Sequence, residues 1–217
     1  MEKKPDTQVK IKICGLRTPA DVAAVNVALP EYAGFIFVPM RRRYVAPAQA
    51  AILCQQLDPR IRPVGVFVDA RVEEILEALE HCPLDMVQLH GAEDNDYIAM
   101  LRAAYRSRFT VESRNLYIVK AFRVEGADDI RRAEASAADE ILLDHGAGGT
   151  GERFDWTLLQ HCRRRFFLAG GLTPDNVENA IRVAQPYAVD ASSSLESDGR
   201  KDPEKIRRFV AAVRRSL

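Results

Sequence analysis

Cys14 and Asp144 are the residues of this 217-residue chain best suited to acid–base chemistry. Cys14 closes the apolar run Val9 to Cys14 and is followed by Gly15. A thiol becomes a base or nucleophile as its thiolate, although a cysteine in an apolar strand is ordinarily a small core residue. Asp144 ends Ile141-Leu142-Leu143-Asp144 and runs into His145-Gly146-Ala147-Gly148-Gly149-Thr150-Gly151. It can neither pair in an apolar core nor cap a helix there, which leaves hydrogen bonding to its own loop or proton transfer. A thiol and a carboxyl facing each other across one site would make a base and an acid. Glycines and small hydroxyl residues also gather at Gly148 to Gly151, Gly170-Gly171 and Ser192-Ser193-Ser194. Without a Cβ, backbone N–H groups can close on an anion, so three such loops together can cradle a phosphate, whereas any one alone reads as a turn. Arg41 to Arg43 form either a solvated charge run or, through one guanidinium, a fork for a carboxylate.

The elements that would carry these residues follow from the hydrophobic pattern. Eight short apolar runs recur, at Val9 to Cys14, Tyr32 to Val38, Pro63 to Val68, Asp85 to Leu89, Leu116 to Phe122, Glu140 to Leu143, Phe166 to Ala169 and Tyr187 to Val189. Most are continuously apolar, as strands covered on both faces require. Between them lie stretches of helical spacing, such as Val72, Ile75, Leu76 and Leu79, or Ile206, Phe209, Val210 and Val213. Thr18-Pro19-Ala20-Asp21, Thr173-Pro174-Asp175-Asn176 and Asp202-Pro203-Glu204 read as helix starts. The pattern predicts eight strand-then-helix units, hence an α/β fold: a single-domain (β/α)8 TIM barrel of eight parallel strands over 10–217, with 1–9 as a lead-in. In such a barrel the chemistry sits at the C-terminal strand ends. Those ends carry Cys14, Arg41 to Arg43, Gln88, His90, Asp144, Gly170-Gly171, Asp190 and the serines. His81, His161, Cys82 and Cys162 read as structural, and Arg163 to Arg165 as complements to the dipole of the helix they follow.

Composition narrows the function. With 31 basic and 31 acidic residues the chain has no net charge to gather nucleic acid or an anionic membrane, so any anion must be bound locally. A 47% hydrophobic content excludes disorder, while the apolar runs fall short of a membrane span. The polar start Met1-Glu2-Lys3-Lys4 shows no secretion signal, which predicts a cytoplasmic protein. Four scattered cysteines lack metal-site or disulfide spacing.

The ordered series Lys-Ile-Cys-Gly, Gly-Phe-Ile-Phe, Arg-Tyr-Val, Val-Gly-Val-Phe-Val, Val-Gln-Leu-His-Gly, Leu-Leu-Asp, Gly-Gly-Thr-Gly with Phe154-Asp155-Trp156, Leu-Ala-Gly-Gly-Leu and Val-Asp-x-Ser-Ser runs from about residue 10 to the C-terminus. It resembles the phosphoribosylanthranilate isomerases of tryptophan biosynthesis. The resemblance implies a barrel enzyme without cofactor or metal that converts N-(5-phosphoribosyl)anthranilate to the 1-deoxyribulose 5-phosphate derivative by an Amadori rearrangement. It implies Cys14 as general base, Asp144 as general acid and Arg43 as the holder of the anthranilate carboxylate. Gln88, His90 and Asp190 would be further substrate contacts. Gly148, Gly149, Gly151, Gly170, Gly171, Ser192 and Ser193 would hold the phosphate. The acid step suits Asp144 if burial raises its pKa, and Lys12, two residues before Cys14 along the strand, would favour the thiolate. The expected partner is one small sugar phosphate, and monomer or homodimer is left open.

Two positions depart from the family pattern. A serine usually precedes the arginine pair where this chain has Met40 or Arg41, which leaves the register open between Arg42 and Arg43. The stretch usually reading Ser-Ser-Gly is Ser192-Ser193-Ser194. If that position needs a positive φ or close backbone approach, the serine costs about 1 kcal/mol or more and weakens substrate binding. The alternatives are a barrel acting on another sugar phosphate, which would favour an aspartate pair over Cys14, and a phosphate-binding barrel without catalysis.

Overall fold

The computed structural model describes residues 8–109, 115–145 and 156–216. Eight strands close in sequence order into an all-parallel barrel: β1 (Lys10–Cys14), β2 (Tyr32–Ile36), β3 (Arg62–Phe67), β4 (Met86–Leu89), β5 (Ile118–Arg123), β6 (Glu140–Asp144), β7 (Phe166–Ala169) and β8 (Ala188–Ala191). Closure is made where β1 pairs with both β2 and β8. The helices are α1 (Pro19–Ala28), α2 (Pro47–Gln55), α3 (Val72–His81), α4 (Asn95–Arg108), α5 (Ala127–Glu134), α6 (Val177–Ala184) and α7 (Pro203–Arg215). This is the (β/α)8 architecture that the alternation of apolar runs and helical stretches predicts.

Successive side chains of a strand point to opposite faces, and that alternation sorts the core in two. Ile11, Ile13, Phe35, Leu89, Leu143 and Leu168 join the larger cluster beneath the helices, with Phe209 of α7. Tyr32, Val64, Met86, Val119, Leu142, Phe167 and Ala188 fill the barrel interior. Its N-terminal end is closed by the Tyr32 and Tyr187 hydroxyls, 3.2 Å apart, and by Tyr117 donating to Glu140 at 3.1 Å. Every strand thus buries both faces, which is why its sequence is continuously apolar rather than alternating.

Helix starts are partly as the sequence suggests. Thr18 caps α1 by accepting from Asp21 N at 3.2 Å, and Asp21 accepts from Thr18 N at 3.0 Å. Asp202 caps α7 by accepting from Glu204 and Lys205 N. At the third signal the helix begins later, at Val177. Asn176 accepts from Thr173 N at 2.8 Å, folding Thr173 to Asn176 into a turn before α6.

Three local expectations are corrected. Between β6 and β7 the described residues form a 3-10 helix, Trp156–His161, instead of an α-helix. After β8 come a 3-10 turn, Ser193–Leu195, and a hairpin of β9 (Glu196–Ser197) and β10 (Arg200–Lys201). Its turn is Asp198-Gly199, with φ of 49° and 75°, the Asp-Gly signature of a two-residue hairpin. Finally, Arg164 does not cap the helical segment it follows. Its guanidinium reaches the C-terminal end of α5, donating to Ser136 O and Ala138 O at 2.7 Å each, and Arg165 pairs with Glu140.

Candidate active site

At the C-terminal rim the inward-facing residues of the strands line one cavity of about 710 Å³. It contains Cys14, Arg43, Gln88, His90, Asp144, Gly170, Gly171, Asp190, Ser192 and Ser193. All the expected site residues within the described segments therefore meet in one place. Gly148, Gly149 and Gly151 lie outside the described residues.

Strand register decides what surrounds Cys14. Lys12 is beside Asp190, and Cys14 beside Gly34. Lys12 and Cys14 share the inner face, as i and i+2 must. Lys12 Nζ lies 2.8 Å from Asp190 Oδ2 in a buried ion pair. Burial works to lower the Lys12 pKa, but Asp190 and Cys14 outweigh it and raise it above the ordinary lysine value. Burial pushes the Cys14 thiol up, with Lys12 and Lys201 pulling it back in part.

Gly34 has a function that the sequence does not announce. A Cβ placed there would stand 2.7 Å from Cys14 Sγ and 3.1 Å from its Cα, so the absence of a side chain on β2 makes the space the thiol occupies. With Cys14 as the expected base, Gly34→Ala should leave the fold intact and lower kcat about 10²-fold, since displacement of a reacting group by about 1 Å costs that much. Steady-state kinetics beside thermal unfolding check it, and an unchanged kcat refutes the space-making role.

Asp144 ends β6 with its side chain 26% exposed and its Oδ2 3.4 Å from His90 Nε2. Gln88 Nε2 lies 2.8 Å from His90 Nδ1. With the Gln88 amide donating, the imidazole keeps its proton on Nε2 and presents it to Asp144. Gln88 Oε1 and Asp190 Oδ1 are buried with no hydrogen-bond partner among the described residues.

Two of the three loops expected to bind an anion lie within the described residues. Gly170 has a φ of 93°, and a Cβ there would come within 2.7 Å of Asp144 Oδ1 and of the His145 backbone. Gly171, at 64°, is likewise left-handed and opens onto free space. Ser192 donates from Oγ to Cys14 O at 3.0 Å, and Ser193 opens the 3-10 turn. Ser194 lies inside that turn and outside the left-handed region, so the expected backbone cost is not incurred. Arg41 lines the cavity, whereas Met40 is 93% exposed to solvent.

Known proteins resemble this chain in sequence and fold. The family model described as N-(5'-phosphoribosyl)anthranilate (PRA) isomerase matches residues 11–212. The chain belongs to this family. It is 43% identical to the N-(5'-phosphoribosyl)anthranilate isomerase of Lactiplantibacillus plantarum, over 93% of this chain and 90% of the relative. The crystal structure of phosphoribosyl anthranilate isomerase from Thermotoga maritima superposes with a TM-score of 0.84 at 35% identity, covering 95% and 98% of the two chains. A second phosphoribosyl anthranilate isomerase structure matches with a TM-score of 0.81 at 32% identity, over 95% and 98%. It was solved in complex with reduced 1-(o-carboxyphenylamino)-1-deoxyribulose 5-phosphate. The family match thus spans 11–212, which takes in the C-terminal ends of all eight barrel strands.

Proposed function

We propose that the chain isomerises N-(5'-phosphoribosyl)anthranilate to 1-(2-carboxyphenylamino)-1-deoxyribulose 5-phosphate in tryptophan biosynthesis, with Cys14 as general base and Asp144 as general acid. The observation that carries the assignment of roles is that the thiol and the carboxyl line one cavity, with the two glycines of the β7 loop between Asp144 and the Ser192 turn. Asp144 protonates the ribose ring oxygen as the C1–O bond breaks, while the lone pair of the aryl nitrogen forms the Schiff base. His90 Nε2–H then supports the carboxylate that remains. The Cys14 thiolate removes the C2 proton, made acidic by the adjacent iminium, and the electrons neutralise the nitrogen to give an enolamine. Loss of the enol proton with protonation at C1 gives the ketone.

The positive charge needed at the thiol comes from Lys12 and from the iminium itself, both of which favour the thiolate. Gln88 Oε1 and Asp190 Oδ1 would accept from ribose hydroxyls, and leaving either unpaired in the closed site costs about 1–3 kcal/mol. The phosphate would sit on the backbone amides of Gly170, Gly171, Ser192 and Ser193, with the loop of Gly148, Gly149 and Gly151, and the anthranilate carboxylate on Arg43. Charge held by amides and one guanidinium is compatible with a chain of zero net charge. A thiol in place of an aspartate at position 14 favours this substrate over other sugar phosphates.

The test is a coupled assay that generates phosphoribosylanthranilate in place and follows the loss of its fluorescence. Turnover is expected, and its absence overturns the reading. In the same assay inorganic phosphate should inhibit competitively, since it would occupy the amide cradle; noncompetitive or absent inhibition removes those loops from the substrate site.

A further inference from the structure

Glu196, at the start of the β9–β10 hairpin, belongs to none of the roles above. Its side chain is 5% exposed and meets three cations. Oε1 accepts from Arg43 Nε at 2.5 Å and Lys201 Nζ at 3.2 Å, and Oε2 from Arg42 Nη2 at 2.5 Å and Arg43 Nη2 at 3.3 Å. The hairpin register sets Lys201 opposite Glu196, and Lys201 also donates to Ser192 O at 2.9 Å. Burial raises the Glu196 pKa, but Arg43 and Lys201 prevail and lower it, so the carboxylate is charged at neutral pH.

We propose that Glu196 is the positioning residue of the carboxylate clamp: it holds the Nε–Nη2 edge of Arg43 and so turns the Nη1 edge of the guanidinium toward the substrate. This rests on the assignment of the anthranilate carboxylate to Arg43. A guanidinium has two edges that can each take a carboxylate side-on. One edge is occupied by Glu196, and Nη1 carries no hydrogen bond among the described residues. The Arg43 stem is fixed as well, because it lies over Gly15, where a Cβ would stand 2.6 Å from Arg43 Cδ. Arg42 touches the same carboxylate from outside, with its side chain 60% exposed against 23% for Arg43. On this reading Arg43, the less exposed of the two, is the arginine that faces the substrate. Three cations around one carboxylate also leave the corner positive, ready for a second carboxylate. The burial of Glu196 makes it a fixed support beneath Arg43 rather than a stand-in that the substrate displaces.

The experiment is calorimetric titration of wild type, Glu196→Gln and Arg43→Gln with reduced 1-(o-carboxyphenylamino)-1-deoxyribulose 5-phosphate and with its counterpart lacking the ring carboxyl. Wild type should prefer the carboxylated ligand. Glu196→Gln should lose about tenfold of that preference, the size of one charge-assisted contact, with unchanged affinity for the other ligand and a rise in KM larger than any fall in kcat. Should Glu196→Gln fold poorly, Glu196→Asp keeps the charge, shortens the reach to Arg43, and should lose part of the preference. A full preference in either folded Glu196 variant, with Arg43→Gln having lost it, overturns the proposal alone. Tighter binding of the carboxylated ligand by Glu196→Gln also overturns it, by making Glu196 a competitor. A full preference in Arg43→Gln removes the carboxylate assignment and the proposal with it.

Discussion

Cys14→Ala should lower kcat by about 10³–10⁴-fold with KM little changed, because in the proposed mechanism it removes the group that accepts the C2 proton while leaving every substrate contact in place. Asp144→Asn should cost about 10²–10⁴-fold, since the amide keeps the shape of the carboxyl but cannot deliver a proton to the ring oxygen. The two losses should combine to less than their product if each blocks the same path at a different step. Both variants should bind the reduced product as wild type does, because neither side chain is needed to hold the phosphate or the anthranilate. Fluorescence turnover beside ligand titration reads both effects. A Cys14→Ala enzyme within about tenfold of wild type would place the base elsewhere.

Lys12→Met is expected to act twice, on proton affinity and on stability. The Lys12 ammonium favours the Cys14 thiolate, and its removal takes away an influence that holds the thiol pKa down against burial. The thiol pKa then rises further, and every tenfold gain in its proton affinity lowers the thiolate fraction at neutral pH about tenfold. The limb of kcat/KM that rises with pH should accordingly move to higher pH, with a loss of about 10–100-fold at pH 7 that is recovered in part as the pH is raised. The variant also strands Asp190 without its partner, which costs about 3–5 kcal/mol for a buried pair. Lys12 and Cys14 both have folded-state pKa values above their ordinary ones. The folded protein therefore holds these protons more tightly than the unfolded chain, and their contribution to stability is present below the unfolded values and lost as the pH rises through the folded ones. Wild type should therefore lose stability at alkaline pH. A pH–rate limb at the same position in both proteins would remove Lys12 from control of the thiol.

Much of the barrel is written in local pattern. Strand faces buried on both sides give continuous apolar runs such as Ile141-Leu142-Leu143, and these runs locate all eight strands to within a few residues. Thr18-Pro19 and Asp202-Pro203 locate two helix starts because a cap depends on the next three residues only. The Asp198-Gly199 turn is equally local, but its two-residue strands have no apolar run to announce them. Thr173-Pro174 misleads for a related reason: it carries cap chemistry, but Asn176 captures Thr173 N and delays α6.

The sequence alone located the eight barrel strands and the residue types at their ends, because periodicity and turn chemistry act over a few neighbouring positions. It therefore identified Cys14, Asp144, the glycine pair and the serine turn as candidates for one site. Tertiary structure alone decided which residues touch. The closing register of β1 against β8 and β2 set Lys12 on Asp190 and left Gly34 empty beside the thiol. Arg164 reached across to the end of α5, and Glu196 took hold of Arg43 from 153 residues away. Such contacts join positions with no shared local pattern, and they exist only once the barrel has closed.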